Sequence, residues 1–286
     1  MEVCCHWIDK RIEVDILIQL YQINILYNSG EFKILMSLRK ENKMPTTQKL
    51  KLYSYDANPD GSVKISSLMK YFQQIAREDL DSYGITYNIM RDANQVFVII
   101  KAKIEFKNKI SIYDDLTLTT VPTKISGITF FRDFFITDSK GVLCAACSTA
   151  WVLMNFATRR ILKPSDIVAE IPSFPEQASD VILSRRFTFA DSPASASTNV
   201  RKIYYSNLDE NNHFNNAETA GFAVDEIADR LCSGETIKTF ELHFNHESVL
   251  GDNIKISTQN REKTSFITAF NPNFDSNAFE CLIEFC

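Results

Sequence analysis

Residues 206–216 read SNLDENNHFNN, with one histidine, two acids and five asparagines crowded ahead of a helical pattern. Asparagine is a poor helix-interior residue and a good cap or turn residue, so the stretch is either a polar turn or a reaction site. A second stretch, YSYDANPDG at 53–61, stands in the same place before another helical pattern. Aligning Asp56 with Asp209 sets Asn58 against Asn211 and Asp60 against His213, giving D-x-N-x-(D or H) in both. Each motif is followed by a helix and then by a run of strands, so a duplicated unit explains the pair. The expected fold is α+β, two tandem units of one helix and an antiparallel sheet.

Working outward, Ile65, Leu68, Met69, Phe72, Ile75, Ala76 and Leu80 recur at spacings of three and four and mark one apolar helical face, with Gly84 as its stop. QVFVIIKAKIEF, LTLTTVP, GITFFRDFFITD and VLCAACSTAWVLMN follow as strands. In the second half, AETAGFAVDEIADRL predicts one helix with Ala220, Ala223, Val224, Ile227, Ala228 and Leu231 inward, and Asn215 with Glu218 as a capping box. Between the halves, the segment from Lys163 to about Ser197 holds prolines 164, 172, 175 and 193 and reads as a connector. The expected organisation is a unit over 44–165, a linker over 166–197 and a unit over 198–286. Residues 1–43 read as an appendage, because their apolar run is too short and too polar to cross a bilayer and lacks signal-peptide features.

A hydrophobic content of 45% and 21 Phe are enough for an ordered core. A net charge of -5 gives no general reason to expect nucleic acid as a partner. Seven scattered cysteines suit free thiols in a reducing, cytoplasmic setting. Cys144-Ala-Ala-Cys147 has redox or zinc spacing, but it lies in a strand pattern where residues three apart face opposite sides, so we read core thiols and expect neither a metal nor a cofactor. His243 and His246 fall on opposite faces of a predicted strand and form no metal pair.

If residues 209–213 are extended, Asp209, Asn211 and His213 share one face at the mouth of the next helix, where N–H groups and the dipole favour negative charge. That gathers a carboxylate, an amide, an imidazole and an oxyanion site. A capped turn with one exposed histidine is the competing reading.

LDENNHFNN resembles the D-x-N-x-H-V-N-N signature of the acyl-acyl carrier protein thioesterases, the plant FatA/FatB type and its bacterial relatives, with Phe214 in place of Val. CSTAWVLMNFATRRILKPSD and ELHFNHESVLGD resemble two further segments of that family, and the matches run in order over roughly residues 44–286. The resemblance implies a tandem double hotdog, each unit a sheet curled around a long helix, and hydrolysis of a fatty acyl–carrier protein thioester. It also implies that Asp209, Asn211, His213 and Glu247 are functional. Asp209 would act as nucleophile or base for water, Asn211 and His213 would position that carboxylate and the thioester, Glu247 would activate or hold a water, and the helix end at Asn216 would receive the carbonyl oxygen. Some proposals for the family use a cysteine after the glutamate. Ser248 stands here, and its hydroxyl is far less ionised than a thiol. Met69, Phe72 and Ile75 are candidates to line the acyl tunnel. An acidic carrier would need a local cationic patch, for which Arg159, Arg160, Lys163, Arg185, Arg186, Arg201 and Lys202 are the candidates. No nucleic acid and no stable membrane insertion are expected, and a homodimer is possible. The rival functions are an acyl-CoA thioesterase and a non-catalytic acyl-binding protein.

Overall fold

The computed structural model describes residues 45–187 and 196–286; the appendage over 1–43 and part of the connector lie outside the described residues. In the first half, β1 (Thr46–Leu50) leads through a 3-10 turn (Ser54–Asp56) to α1 (Ile65–Ser82) and the short α2 (Tyr87–Asp92), then β2 (Gln95–Phe106), β3 (Leu116–Ser126), β4 (Thr129–Asp138) and β5 (Leu143–Asn155). The second half repeats this with β6 (Ala196–Lys202), a 3-10 turn (Tyr205–Asn207), α3 (Asn216–Asp225), α4 (Ala228–Cys232), β7 (Ile237–Phe244), β8 (Asn253–Asn260), β9 (Thr264–Asn271) and β10 (Ser276–Phe285). All ten strands join one sheet in the order β1-β3-β4-β5-β2-β7-β10-β9-β8-β6. The order of the second five strands mirrors that of the first, so the halves meet about a pseudo-two-fold at the antiparallel β2–β7 pair, where Lys103 faces Glu241.

Period-two alternation explains the two faces of that pair. Ala102, Ile104, Phe240 and Leu242 are fully buried towards the helices. Lys101, Lys103, Glu241 and His243 point the other way, under the connector. There Ser184 N donates to Glu241 Oε1 at 2.6 Å, Lys101 Nζ donates to the carbonyls of Ser184 and Arg185 at 2.6 and 2.8 Å, and Phe187 stacks on His243. The segment read as a plain linker is therefore fastened across the outer face of the sheet.

α1 buries the predicted face, Ile65, Leu68, Met69, Phe72, Ile75 and Ala76, while Leu80 is half-buried. The same face also carries Asp79, fully buried, which accepts from Arg132 at 2.7 Å, Thr46 at 2.6 Å and Tyr83 at 2.9 Å. The second helix departs from expectation. It breaks at Ile227 because the hydrogen bonds there tighten to a three-residue span, Ile227 N to Val224 O and Arg230 N to Ile227 O. Ile227 stays in the core, Ala228 turns outward, and Arg230 swings to Glu235 and to the carbonyls of Arg261, Glu262 and Thr264. Asn215 caps α3 by accepting from Ala217 N at 2.8 Å. Glu218 does not close a capping box but reaches across to Lys70 of α1 at 2.9 Å. The two helices pass close at Gly221, where an added Cβ would meet the Ser66 side chain at 3.8 Å.

The duplication holds, with a corrected register. Asn58 N donates to Ser62 O, as Asp209 N does to His213 O; Val63 N donates to Ile110 O, as Phe214 N does to Ser248 O. Gly61 and Asn212 are the left-handed residues of the two turns, at φ 75° and 62°. Asn58, Asp60 and Ser62 therefore correspond to Asp209, Asn211 and His213. The alignment of Asp56 with Asp209 is two residues out, because it matched like side chains, whereas the turn is set by its backbone. The counterpart of His213 is Ser62, not Asp60.

Asp79→Asn should leave the Arg132 guanidinium buried without its counter-ion and cost about 3–5 kcal/mol. Urea unfolding of the two proteins measures it, and a loss below about 1 kcal/mol would show that this pair is not what steadies α1 against the sheet.

Candidate active site

The 209–213 segment is a closed turn, not the extended stretch expected. Asp209 Oδ1 accepts from Asn211 N at 2.8 Å and from His213 N at 3.1 Å, and Asn212 N closes on Asp209 O at 3.1 Å. An aspartate that captures backbone N–H groups two and four residues on competes with extended structure, so alternation is not what gathers these residues. The turn is clamped from outside by the segment after β7. Ser248 O takes Phe214 N at 2.8 Å, and His213 bridges to Val249. That segment is held in turn by Asn271, which donates to Ser248 Oγ at 3.1 Å and to Asp252 Oδ2 at 2.7 Å. Phe214 packs on Phe222 of α3 with ring centres 4.7 Å apart, and Arg201 covers Phe222 while pairing with Asp225.

A cavity of about 510 Å³ opens beneath the turn, within the size range of small-molecule sites. Its walls are largely apolar, with Leu80, Ile85, Met90, Phe97, Phe130 and Trp151 from the first half. Asp209, Asn211 and Asn216 close it from the second half. Two buried polar atoms on its lining have no hydrogen-bond partner, Asn211 Oδ1 and Gln73 Nε2. Buried polar atoms are nearly always satisfied, so such orphans need an explanation. Arg77 and Arg91 flank Tyr87 on the lining, Arg77 also reaching Glu210 at 3.4 Å and Arg91 lying over Phe156.

His213 and Glu247 are not among the cavity-lining residues. His213 Nε2 is 3.4 Å from Glu247 Oε2, and the same carboxylate oxygen is held by Arg159. Burial pushes the His213 imidazole below its ordinary range; the nearby Arg159 charge adds to this, and Asp209 pulls the other way. These influences together favour the neutral ring, the form that can accept a proton.

Several expected positions are occupied differently. Met69, Phe72 and Ile75 are packed into the core and do not line the cavity; from α1 it is Gln73, Ala76, Arg77 and Leu80 that do. Arg159 and Arg201 are engaged with Glu247 and with Asp225, leaving Arg160, Lys163, Arg185, Arg186 and Lys202 as exposed cations. Ser248 is buried, with its hydroxyl on Asn271. β7 ends at Phe244, so His246 is not on the strand; its ring lies against Phe274, while His243 is buried against Glu241. Cys144 and Cys147 are free, buried thiols of β5, pushed up by that burial. Among the described residues no helix is long and apolar enough to cross a membrane.

One sheet of two mirrored halves, each enclosing its own helix, together with the clamped D-x-N-x-H turn, defines a tandem hotdog. The acyl-ACP thioesterase N-terminal domain matches residues 43–171 and the C-terminal domain matches residues 191–281. The chain belongs to the acyl-ACP thioesterase family. It is 23% identical over 212 residues to the chloroplastic palmitoyl-acyl carrier protein thioesterase of Arabidopsis thaliana, and that match covers 70% of this chain and 51% of the relative. It is 24% identical over 209 residues to the chloroplastic dodecanoyl-[acyl-carrier-protein] hydrolase of Cinnamomum camphora, covering 69% and 54%. The chain thus spans about half the length of these relatives. The fold is shared with an acyl-ACP thioesterase of Bacteroides thetaiotaomicron, at TM-score 0.72 and 16% identity over 85% of this chain and 98% of that one. It is also shared with the 12:0-ACP thioesterase of Umbellularia californica, at TM-score 0.69 and 17% identity over 86% and 98%.

The His213 ring should titrate below the ordinary imidazole value of 6.5. Following its ring protons by NMR against pH checks this; a midpoint above that value would mean that the carboxylates around the ring outweigh its burial.

Proposed function

We propose that the chain hydrolyses fatty acyl–acyl carrier protein thioesters, releasing free fatty acid and carrier in fatty acid biosynthesis. The observation that carries this is the apolar cavity ending on Asp209, Asn211 and the start of α3. The acyl chain occupies the cavity, with its thioester carbon at the closed turn. The first-turn N–H groups of α3, near Asn216, receive the carbonyl oxygen, where the helix end favours developing negative charge. Asp209 Oδ1 is committed to backbone N–H groups, so its second oxygen is the one that attacks the carbonyl or takes a proton from water. Asn211 Oδ1 accepts a donor from substrate or water. In the water route the proton that Asp209 removes passes by way of His213, next to Glu247, to the departing thiolate; in the nucleophile route the thiolate leaves first, and His213 takes the proton of the water that then opens the acyl-aspartate and passes it on to the thiolate.

Family membership favours a carrier-bound substrate, and the plant relatives bear names specifying such substrates. The acyl-CoA reading is tested against it by product analysis with matched acyl carrier proteins and acyl-CoAs; faster turnover of acyl-CoA throughout would replace the carrier. We place the reaction in the cytoplasm, in keeping with the free buried thiols Cys144, Cys147 and Cys281. The relatives matched above are chloroplastic, and cell fractionation decides between the two.

Asp209→Asn and His213→Ala should each lower turnover at least roughly a hundredfold with folding intact. Ser248→Ala should keep most activity, since its hydroxyl is spent on Asn271. Steady-state kinetics with circular dichroism controls measures all three, and an acyl-serine trapped in mass spectra would reverse the assignment.

For carrier docking the exposed pair Arg160 and Lys163, next in sequence to Arg159 of the site, replaces the broader set. Reversing both to Glu should raise KM for acyl-carrier substrates several-fold with little effect on a small acyl thioester, and salt should mimic it because exposed charges are screened over about 10 Å at 0.1 M. Unchanged carrier kinetics under both treatments would remove these residues from the docking surface.

A further inference from the structure

Arg159 lies in the first half of the chain, yet its guanidinium sits on a carboxylate of the second half. Its backbone is left-handed, at φ 59°, which costs a non-glycine residue about 1 kcal/mol. The conformation is held by a built turn. Arg159 N donates to Asn155 O at 2.9 Å, Asn155 N donates to Arg160 O at 2.8 Å, and Asn155 Oδ1 takes Thr158 N at 2.8 Å. Just beyond β5, this turn sends the side chain to Glu247 Oε2, the oxygen that also faces His213 Nε2 at 3.4 Å. An unconventional backbone that delivers a charge to such a place is the pattern expected of a functional constraint.

The electrostatics give the contact a purpose. A bare carboxylate this close to an imidazole favours the imidazolium, which cannot accept a proton. Three charged groups face the ring: Asp209 from its own turn, Glu247 from the segment after β7, and Arg159 from the turn after β5. Without Arg159 two anions would surround His213; with it, Glu247 is locally neutralised. All three partners are part-exposed, His213 at 27%, Glu247 at 36% and Arg159 at 40%, so solvent tempers each pair.

We propose that Arg159 is a positioning residue of the reaction centre: it fixes the Glu247 carboxylate and offsets its charge, keeping His213 available as a neutral base. The proposal rests on the reading of Asp209, His213 and Glu247 as that centre. It also explains why the reaction centre needs the first half, which contributes a charge as well as cavity walls.

The test follows His213 ring protons by NMR against pH in the full chain, together with the pH profile of kcat/KM on a short acyl-pantetheine thioester. Arg159→Gln and Arg159→Lys are compared with the parent. Arg159→Gln should raise the His213 midpoint and carry the acidic limb of the profile upward with it, and Arg159→Lys should restore most of both. If Arg159→Gln leaves both unchanged and raises only KM for carrier-bound substrate, Arg159 is a docking cation and the proposal fails. If Arg159→Gln does not fold, an Arg159→Lys profile equal to the parent's supports the charge role, and one in which kcat/KM drops evenly at all pH values with an unmoved midpoint overturns it. If the parent hydrolyses no thioester at all, the functional reading falls, and the positioning role of Arg159 falls with it. An unmoved midpoint in an active enzyme removes Arg159 alone.

Discussion

The antiparallel pairing of β2 with β7 is the constraint on which the rest depends. It makes one sheet out of two halves, with Lys103 opposite Glu241 at the seam. Each helix then faces its own half-sheet while touching the other helix, and the Lys70–Glu218 pair spans the two. Because β5 lies beside β2, the turn that follows β5 brings Arg159 to Glu247, whose carboxylate faces His213 of the clamped loop. The cavity is likewise composite, with apolar walls from the first half and polar closure from the second. Neither half has a complete site of its own.

Much of this architecture could be read from residues alone. Every apolar residue expected on the α1 face over Ile65–Ala76 is buried, because apolar spacing of three and four reports burial directly, and Ser67 is buried among them. The duplication was legible because two helices carry similar polar openings. Its register was not, since the defining feature is a left-handed residue, Gly61 in one copy and Asn212 in the other, and the two share no side-chain chemistry. The helix break at Ile227 was hidden because Ala223, Ile227 and Leu231 keep a helical spacing across it. The buried Asp79 was visible in principle, a carboxylate three and four residues from Ala76 and Ile75 on an apolar face, but its meaning needs Arg132 from a distant strand.

The candidate site shows the same division. Asp209, Asn211 and His213 were found for a reason that the structure replaces: a self-capping turn, not alternation, brings them together. Glu247 came through resemblance. Arg159 was read as a surface cation, because nothing local in ATRRIL tells a docking charge from one reaching across a domain seam. Gln73 had no signal beyond being polar next to an apolar face.

The mirror arrangement leaves a second cavity, about 540 Å³, beside Asn58, Asp60 and Ser62, with Lys109 paired to Asp60. It is the pseudo-symmetric counterpart of the first, and the turn beside it carries Ser62 where the other turn carries His213. In an assembly of two identical separate chains, any substitution at one site is imposed on both. Tandem linkage removes that coupling. One copy of the turn can hold an imidazole while the other holds a lysine–aspartate strut, and a mutation in either is inherited by that copy alone. Covalent duplication thus lets two copies of one turn carry different side chains within a single sheet.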